Sequence, residues 1–176
     1  MKKLIFSIVA LIIIAVGVLF AINSKDNYDA TKFYAKATNG LKIGSKLELK
    51  LPDQFNKEHI LSSDTKKLIF VFSKNTGHIA REFFKKQSKD YLDSKKAIFV
   101  ADISKMPAFI RNTFAMPDFK KSHYNILLIY DKKVTKKFEK GIDKDKVVVV
   151  TLDNKRVTNI KFASNEDELK KLLKIE

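Results

Sequence analysis

The sequence predicts an α/β fold, a three-layer α/β/α sandwich around a mixed sheet, preceded by one N-terminal transmembrane helix. Three observations carry this expectation. Continuous apolar runs at Leu68–Phe72, Ala97–Ala101 and Ile126–Tyr130 have the length and β-favouring composition of strands buried on both faces. The first two are each followed by apolar residues at three-to-four spacing, the pattern of a helix crossing back over a parallel sheet. Val147–Leu152 and Arg156–Phe162 flank the turn-rich Asp153-Asn154-Lys155 and read as a hairpin that adds antiparallel strands.

Lys2 and Lys3 precede Leu4–Ile22, an apolar run in which Ser7 is the one polar residue. At about 1.5 Å rise per residue such a run reaches across the hydrocarbon core. A cleaved secretory signal needs small residues around its cut site, and the best candidate here, Leu19-Phe20-Ala21, offers a leucine. The segment therefore reads as an uncleaved signal anchor in the inner membrane. Residues 1–3 would lie in the cytoplasm, with the rest facing the periplasm or cell exterior. Were the segment cleaved, the product would be secreted. Residues 23–40 are polar and aperiodic and read as a linker, and 41–176 as the globular domain.

Within that domain Leu47, Leu49 and Leu51 alternate with charged residues, the period of a half-buried strand. Pro52-Asp53 starts a turn, Asn56 suits a left-handed position, and His59–Leu61 returns as a short strand. A helix is expected from about Thr76, with Ile79, Ala80, Phe83, Phe84 and Tyr91 as its buried stripe. A second is expected over Ser104–Phe114, with Pro107 in its first turn, Phe109, Ile110 and Phe114 inward, and Pro117 beyond its end. Lys132–Lys140 forms another helical segment. The last helix is expected to take Ser164 as its N-cap and to bury Leu169, Leu172 and Leu173.

The stretch Gly44-Ser45-Lys46 through Leu51-Pro52-Asp53-Gln54-Phe55-Asn56-Lys57 is similar to the G-x-x-x-P-x-F-x-L-P-D-x-x-G-K opening of peroxiredoxin-like proteins. Glu48 and Lys50 stand where proline and phenylalanine are usual. The strand ends Ile126–Asp131 and Val148–Lys155 also look like that group's. Over roughly Leu41 to Glu176 the chain thus resembles the thioredoxin-like superfamily, in particular its peroxiredoxin-like branch with membrane-anchored members. The resemblance implies a thioredoxin-like sandwich and a C-x-x-C pair at the start of the helix after Leu68–Phe72. Aligned in that way, Thr76-Gly77-His78-Ile79 replaces C-x-x-C, and Val147 stands at the place of the cis-proline.

The chain has no cysteine, so thiol–disulfide exchange by that mechanism is excluded. No G-x-G-x-x-G, G-x-S-x-G or Walker loop is present, and the three histidines, His59, His78 and His123, are too far apart in sequence to share a helix face. The expectation is a non-enzymatic domain without cofactor or metal, binding a protein partner at the membrane. Its candidate partner-binding loop is Lys74, Asn75, Thr76, Gly77 and His78, where Asn75 or Thr76 caps the helix. The candidate docking segment carries Met106, Phe109 and Met116. Asp102 and Asp131, which end strands, read as structural. The formal net charge of +15 is spread over Lys-Lys pairs such as 66–67, 95–96 and 170–171. It suits a second mode, electrostatic binding of anionic lipid or an acidic polymer. Nucleic acid is not expected, for no arginine-rich or aromatic-interleaved stripe is present.

Overall fold

The three apolar runs become the centre of the main sheet. The computed structural model describes residues 2–25, 28–38 and 40–174. In it the runs are β4 (Lys67–Val71), β5 (Ala97–Asp102) and β6 (Ile126–Ile129), paired parallel with Lys67 opposite Ala97 and Phe99 opposite Ile126. β7 (Val147–Asp153) runs antiparallel to β4, and β8 (Arg156–Ala163) pairs with β7, giving the order β6-β5-β4-β7-β8. The expected hairpin turns on Asn154 and Lys155, both left-handed at φ 44° and 64°. Positive φ at both central residues matches the right-handed twist of the flanking strands.

Alternation along β4 divides the core. Ile69 and Val71 face α2 (Lys74–Lys85), α3 (Tyr91–Ser94) and α7 (Glu166–Leu173), among buried Phe83, Phe84, Phe99 and Leu169. Leu68 and Phe70 face the other way, toward β2 (Leu47–Pro52) and α6 (Lys132–Glu139), where the rings of Phe70 and Phe138 lie 5.8 Å apart. That second layer is completed by a small sheet in which β2 pairs with β3 (Glu58–Ile60). The turn between them places Asn56 at φ 62° as expected.

Three expectations are corrected. Part of the segment 23–40 is strand, not linker. Tyr34–Ala37 forms β1, antiparallel to β2 with Ala37 opposite Leu47, and Ala35 is buried against the Leu47–Leu49–Leu51 face. Four residues are too few for a period-two signal to stand out. Residues 26, 27 and 39 of that segment lie outside the described residues, as do Met1, Ile175 and Glu176.

The helix expected over Ser104–Phe114 starts later and runs further. α4 (Ala108–Ile110), a π turn (Arg111–Ala115) and α5 (Met116–Phe119) follow one another without a break, so Pro117 lies inside. In the π turn the Met116 N–H donates to the Arg111 carbonyl, five residues back. This wider turn accommodates the proline's missing donor and bulky ring. It also rotates the inner face. Ile110 and Phe114 are 43% and 61% exposed, while Ala115, Met116 and Phe119 pack on the core. Finally, Asn165 rather than Ser164 caps α7. The Asn165 side chain accepts from the Glu168 N–H at 2.9 Å, and Glu168 accepts from the Ser164 N–H at 2.7 Å.

The N-terminal helix α1 (Lys2–Asn23) contains Ile5–Asn23, a stretch of mean hydropathy 3.2 with none of it buried, long and apolar enough to cross a membrane. It projects from the domain.

Candidate functional site

The C-terminal ends of β4, β5 and β6 and the start of β7 lie along one edge of the sheet, and α2 begins there. Its N-cap is Ser73, so Lys74, Asn75, Thr76, Gly77 and His78 form the first turns of a helix and not a loop. Ser73 and Thr76 cap one another. The Thr76 N–H donates to Ser73 Oγ at 3.3 Å, the Ser73 N–H donates to Thr76 Oγ1 at 3.1 Å, and the two hydroxyls are 3.1 Å apart. This is a capping box in which threonine takes the place usually held by Glu or Gln. Thr76 is fully buried, Gly77 is half-buried, and Lys74, Asn75 and His78 are exposed. The expected capping by Asn75 or Thr76 is therefore corrected to Ser73, and Thr76 is removed from the accessible surface. Replacing Ser73 with alanine should destabilise the chain by about 1 kcal/mol, read as a lower urea midpoint, because it strands helix N–H groups.

At this helix start the N-cap and N3 side chains touch one another. Here that pair is Ser73 and Thr76. In the expected alignment Thr76–Ile79 replaces C-x-x-C, and in the structure Thr76 is tied to Ser73. Ile79 instead packs against the core. Val147 opens β7 beside this point and is fully buried.

The rest of the edge is held by polar ties. Asp102 accepts from the Ser104 N–H at 2.9 Å and the Thr135 hydroxyl at 2.8 Å. Asp131 caps α6 by accepting from the Lys133 N–H at 2.7 Å. Both are structural, as expected. Arg81 of α2 is ion-paired with Asp118 of α5, and the hydrogen bond from its guanidinium, with its charge, holds the Asp118 carboxyl below the usual carboxylate range.

The expected docking segment is mostly engaged within the chain. Met106 and Met116 pack on the core, and the Tyr130 hydroxyl donates to Met116 Sδ at 3.8 Å. The Phe109 ring lies 4.8 Å from that of Phe20 in α1. The Asn112 amide donates to the carbonyls of Asn23 and Lys25, both at 2.8 Å, and Tyr28 stacks on Tyr130 with ring centres 4.5 Å apart. The apolar surface left exposed here belongs to Ile110 and Phe114, which sequence periodicity had placed inside.

No protein-family model matches the chain, and neither does any curated protein. Solved structures do. One is a protein from Bacteroides thetaiotaomicron proposed to be a protein disulfide isomerase, with TM-score 0.51, 17% identity, and 79% of this chain and 89% of that one covered. Another, from Chlorobium tepidum, is proposed to be the thiol:disulfide interchange protein DsbE, with TM-score 0.50, 15% identity, and 76% and 96% covered. The fold is thioredoxin-like. Likeness at these identities establishes the fold alone, and it does not single out the peroxiredoxin-like branch.

In this thioredoxin-like domain two hydroxyls, those of Ser73 and Thr76, meet at the start of α2. Among the described residues, no histidine or carboxylate hydrogen-bonds either one, so nothing there lowers the barrier to deprotonating them. His59 is spent on buried Asp53, with Nε2 and Oδ2 2.8 Å apart, and His123 Nε2 lies 3.1 Å from the Gln87 carbonyl. No group of three His, Asp or Glu side chains among the described residues could hold a metal ion. The signal that could have located the pair was present: Ser73-x-x-Thr76 directly after an apolar strand.

Proposed function

We propose that the chain is a membrane-anchored, non-catalytic thioredoxin-like domain that acts outside the cytoplasmic membrane as a protein-binding or assembly module. The observation that carries this reading is the Ser73–Thr76 pair. It keeps the close side-chain approach of a dithiol at the helix start while supplying neither a thiol nor a base. A domain so built retains the surface around the pair and forgoes the exchange reaction.

The anchor is supported by the length and hydropathy of α1. Its retention is supported by the Phe20–Phe109 ring contact and the Asn112 bonds to Asn23 and Lys25, which join the end of α1 to the domain. These contacts lie at the same edge as Ser73, which supports a membrane-proximal binding surface and a protein partner in or beside the same bilayer. The accessible residues are Lys74, Asn75 and His78, with Ile110 and Phe114 nearby.

The test is affinity capture of the whole chain from gently solubilised membranes, at low and at high salt. The wild type should retain a specific protein at high salt, and the triple variant Lys74→Glu, His78→Glu, Phe114→Ser should lose it. All three positions are exposed, so the fold tolerates them. Unchanged capture by the variant would contradict the surface assignment.

A further inference from the structure

At the opposite end of the sheet lies a depression of about 780 Å³ in which seven of the twelve surrounding residues are lysines. They come from four separate places in the chain. Lys66 and Lys67 lead into β4, Lys95 and Lys96 precede β5, Lys161 lies on β8, and Lys171 and Lys174 end α7. None of the described residues around the depression is acidic. The one described carboxylate in ion-pair range is Asp153, 3.6 Å from Lys66.

General lysine richness does not account for this arrangement. Like charges gathered around one concavity repel one another and favour an anionic occupant, whereas scattered ones do not. The dipole of α7 explains Lys171 and Lys174 at its C-terminus, and Lys67 clamps the Leu172 and Lys174 carbonyls at 2.5 and 3.2 Å. Neither reason covers Lys95, Lys96 or Lys161. Lys96, moreover, is held left-handed at φ 46°, where glycine or asparagine would sit with less strain.

We propose that this depression is a binding site for a linear polyanion, a polymer carrying closely spaced phosphate groups. Lysines, as freely rotating point charges without the planar fork of arginine, suit a repeating anion held in many equivalent registers. The site is one strand length from the edge where α1 joins, since β5 starts directly after Lys96 and ends at that edge. It therefore faces away from the bilayer, and it is a polymer rather than a lipid that reaches it. This choice rests on α1 being the membrane anchor, and the vesicle arm below tests it separately.

The experiment measures binding of long-chain polyphosphate to the whole chain in uncharged detergent, across a salt series. Inorganic phosphate and phosphatidylglycerol vesicles are the comparison ligands. The variant Lys95→Gln, Lys96→Gln, Lys161→Gln, Lys171→Gln should bind polyphosphate at least about tenfold more weakly, with a shallower salt dependence. Lys132→Gln, Lys133→Gln, Lys136→Gln, Lys137→Gln removes the same charge from exposed positions of α6 and should weaken binding less than about threefold. The double variant Lys161→Gln, Lys171→Gln reads the same site without touching the left-handed turn, and should show an intermediate loss. Equal losses in the two quadruple variants would reduce the effect to net charge and overturn the proposal. So would an absence of polyphosphate binding, or inorganic phosphate binding as tightly as the polymer. Vesicle binding lost through the same four pocket lysines would replace the polymer with a lipid surface.

Discussion

Replacing Phe84 with alanine is expected to cost about 3–5 kcal/mol, the range for emptying a buried aromatic site that cannot collapse. Phe84 is 1% exposed and joins α2 to the sheet. Its ring lies 5.1 Å from that of Phe99 on β5, 5.2 Å from Phe83, 5.4 Å from Tyr124 and 6.4 Å from Tyr91. Phe83 of the same helix and three aromatic neighbours from three other parts of the fold would border the void, and each is fixed by its own packing. Thermal unfolding of the detergent-solubilised chain should show Tm lowered by roughly 6–20 °C, using the ~2–4 °C per kcal/mol typical of chains this size. Phe114→Ala is the control. At 61% exposure it should change stability by no more than about 0.5 kcal/mol. Comparable losses in the two variants would contradict the inside–outside assignment made here.

Gln54→Leu should cost about 2–6 kcal/mol, because it strands two buried backbone groups at about 1–3 kcal/mol each. Gln54 is 1% exposed. Its Nε2 donates to the Tyr124 carbonyl at 2.9 Å, and its Oε1 accepts from the Ile126 N–H at 2.8 Å. It thereby closes the turn after β2 against the first residue of the edge strand β6. Leucine fills a similar volume, so the loss isolates the hydrogen bonds from any cavity. Urea unfolding gives the measurement, and a loss below about 1 kcal/mol would mean that water replaces both bonds.

The central sheet was legible because Leu68–Phe72, Ala97–Ala101 and Ile126–Tyr130 bury both faces, which leaves a continuous apolar run in the sequence. β1 was not legible, because Tyr34–Ala37 exposes alternate residues and owes its strand to pairing with β2, a contact of distant sequence origin. The Phe114 expectation failed for a different reason. A 3.6-residue period assumes a regular helix, and the π turn at Arg111–Ala115 shifts every later residue around the axis.

At the candidate site, the strand and the helix after it were legible, and the helix begins earlier than expected, at Lys74 behind the Ser73 cap. The hydroxyl pair Ser73 and Thr76 looks like ordinary capping, which it also is. The lysine depression was invisible to the sequence for the opposite reason. Its members are spread from Lys66 to Lys174 and meet only through the strand order and the end of α7.

The proposed function centres on the close approach of the Ser73 and Thr76 side chains at the start of α2. The most direct measurement is thiol titration of the double variant Ser73→Cys, Thr76→Cys before and after oxidation. The natural chain has no cysteine, so every titrated thiol is an introduced one. With the two hydroxyls 3.1 Å apart, the new sulfurs are within reach of a disulfide after small side-chain rotations. The account predicts that two free thiols disappear on mild oxidation and return on reduction, within single chains. Thr76→Cys with Ile79→Cys, the register suggested by the sequence alone, should keep its thiols free. A Ser73–Thr76 pair that stays reduced while the Thr76–Ile79 pair closes would contradict the account.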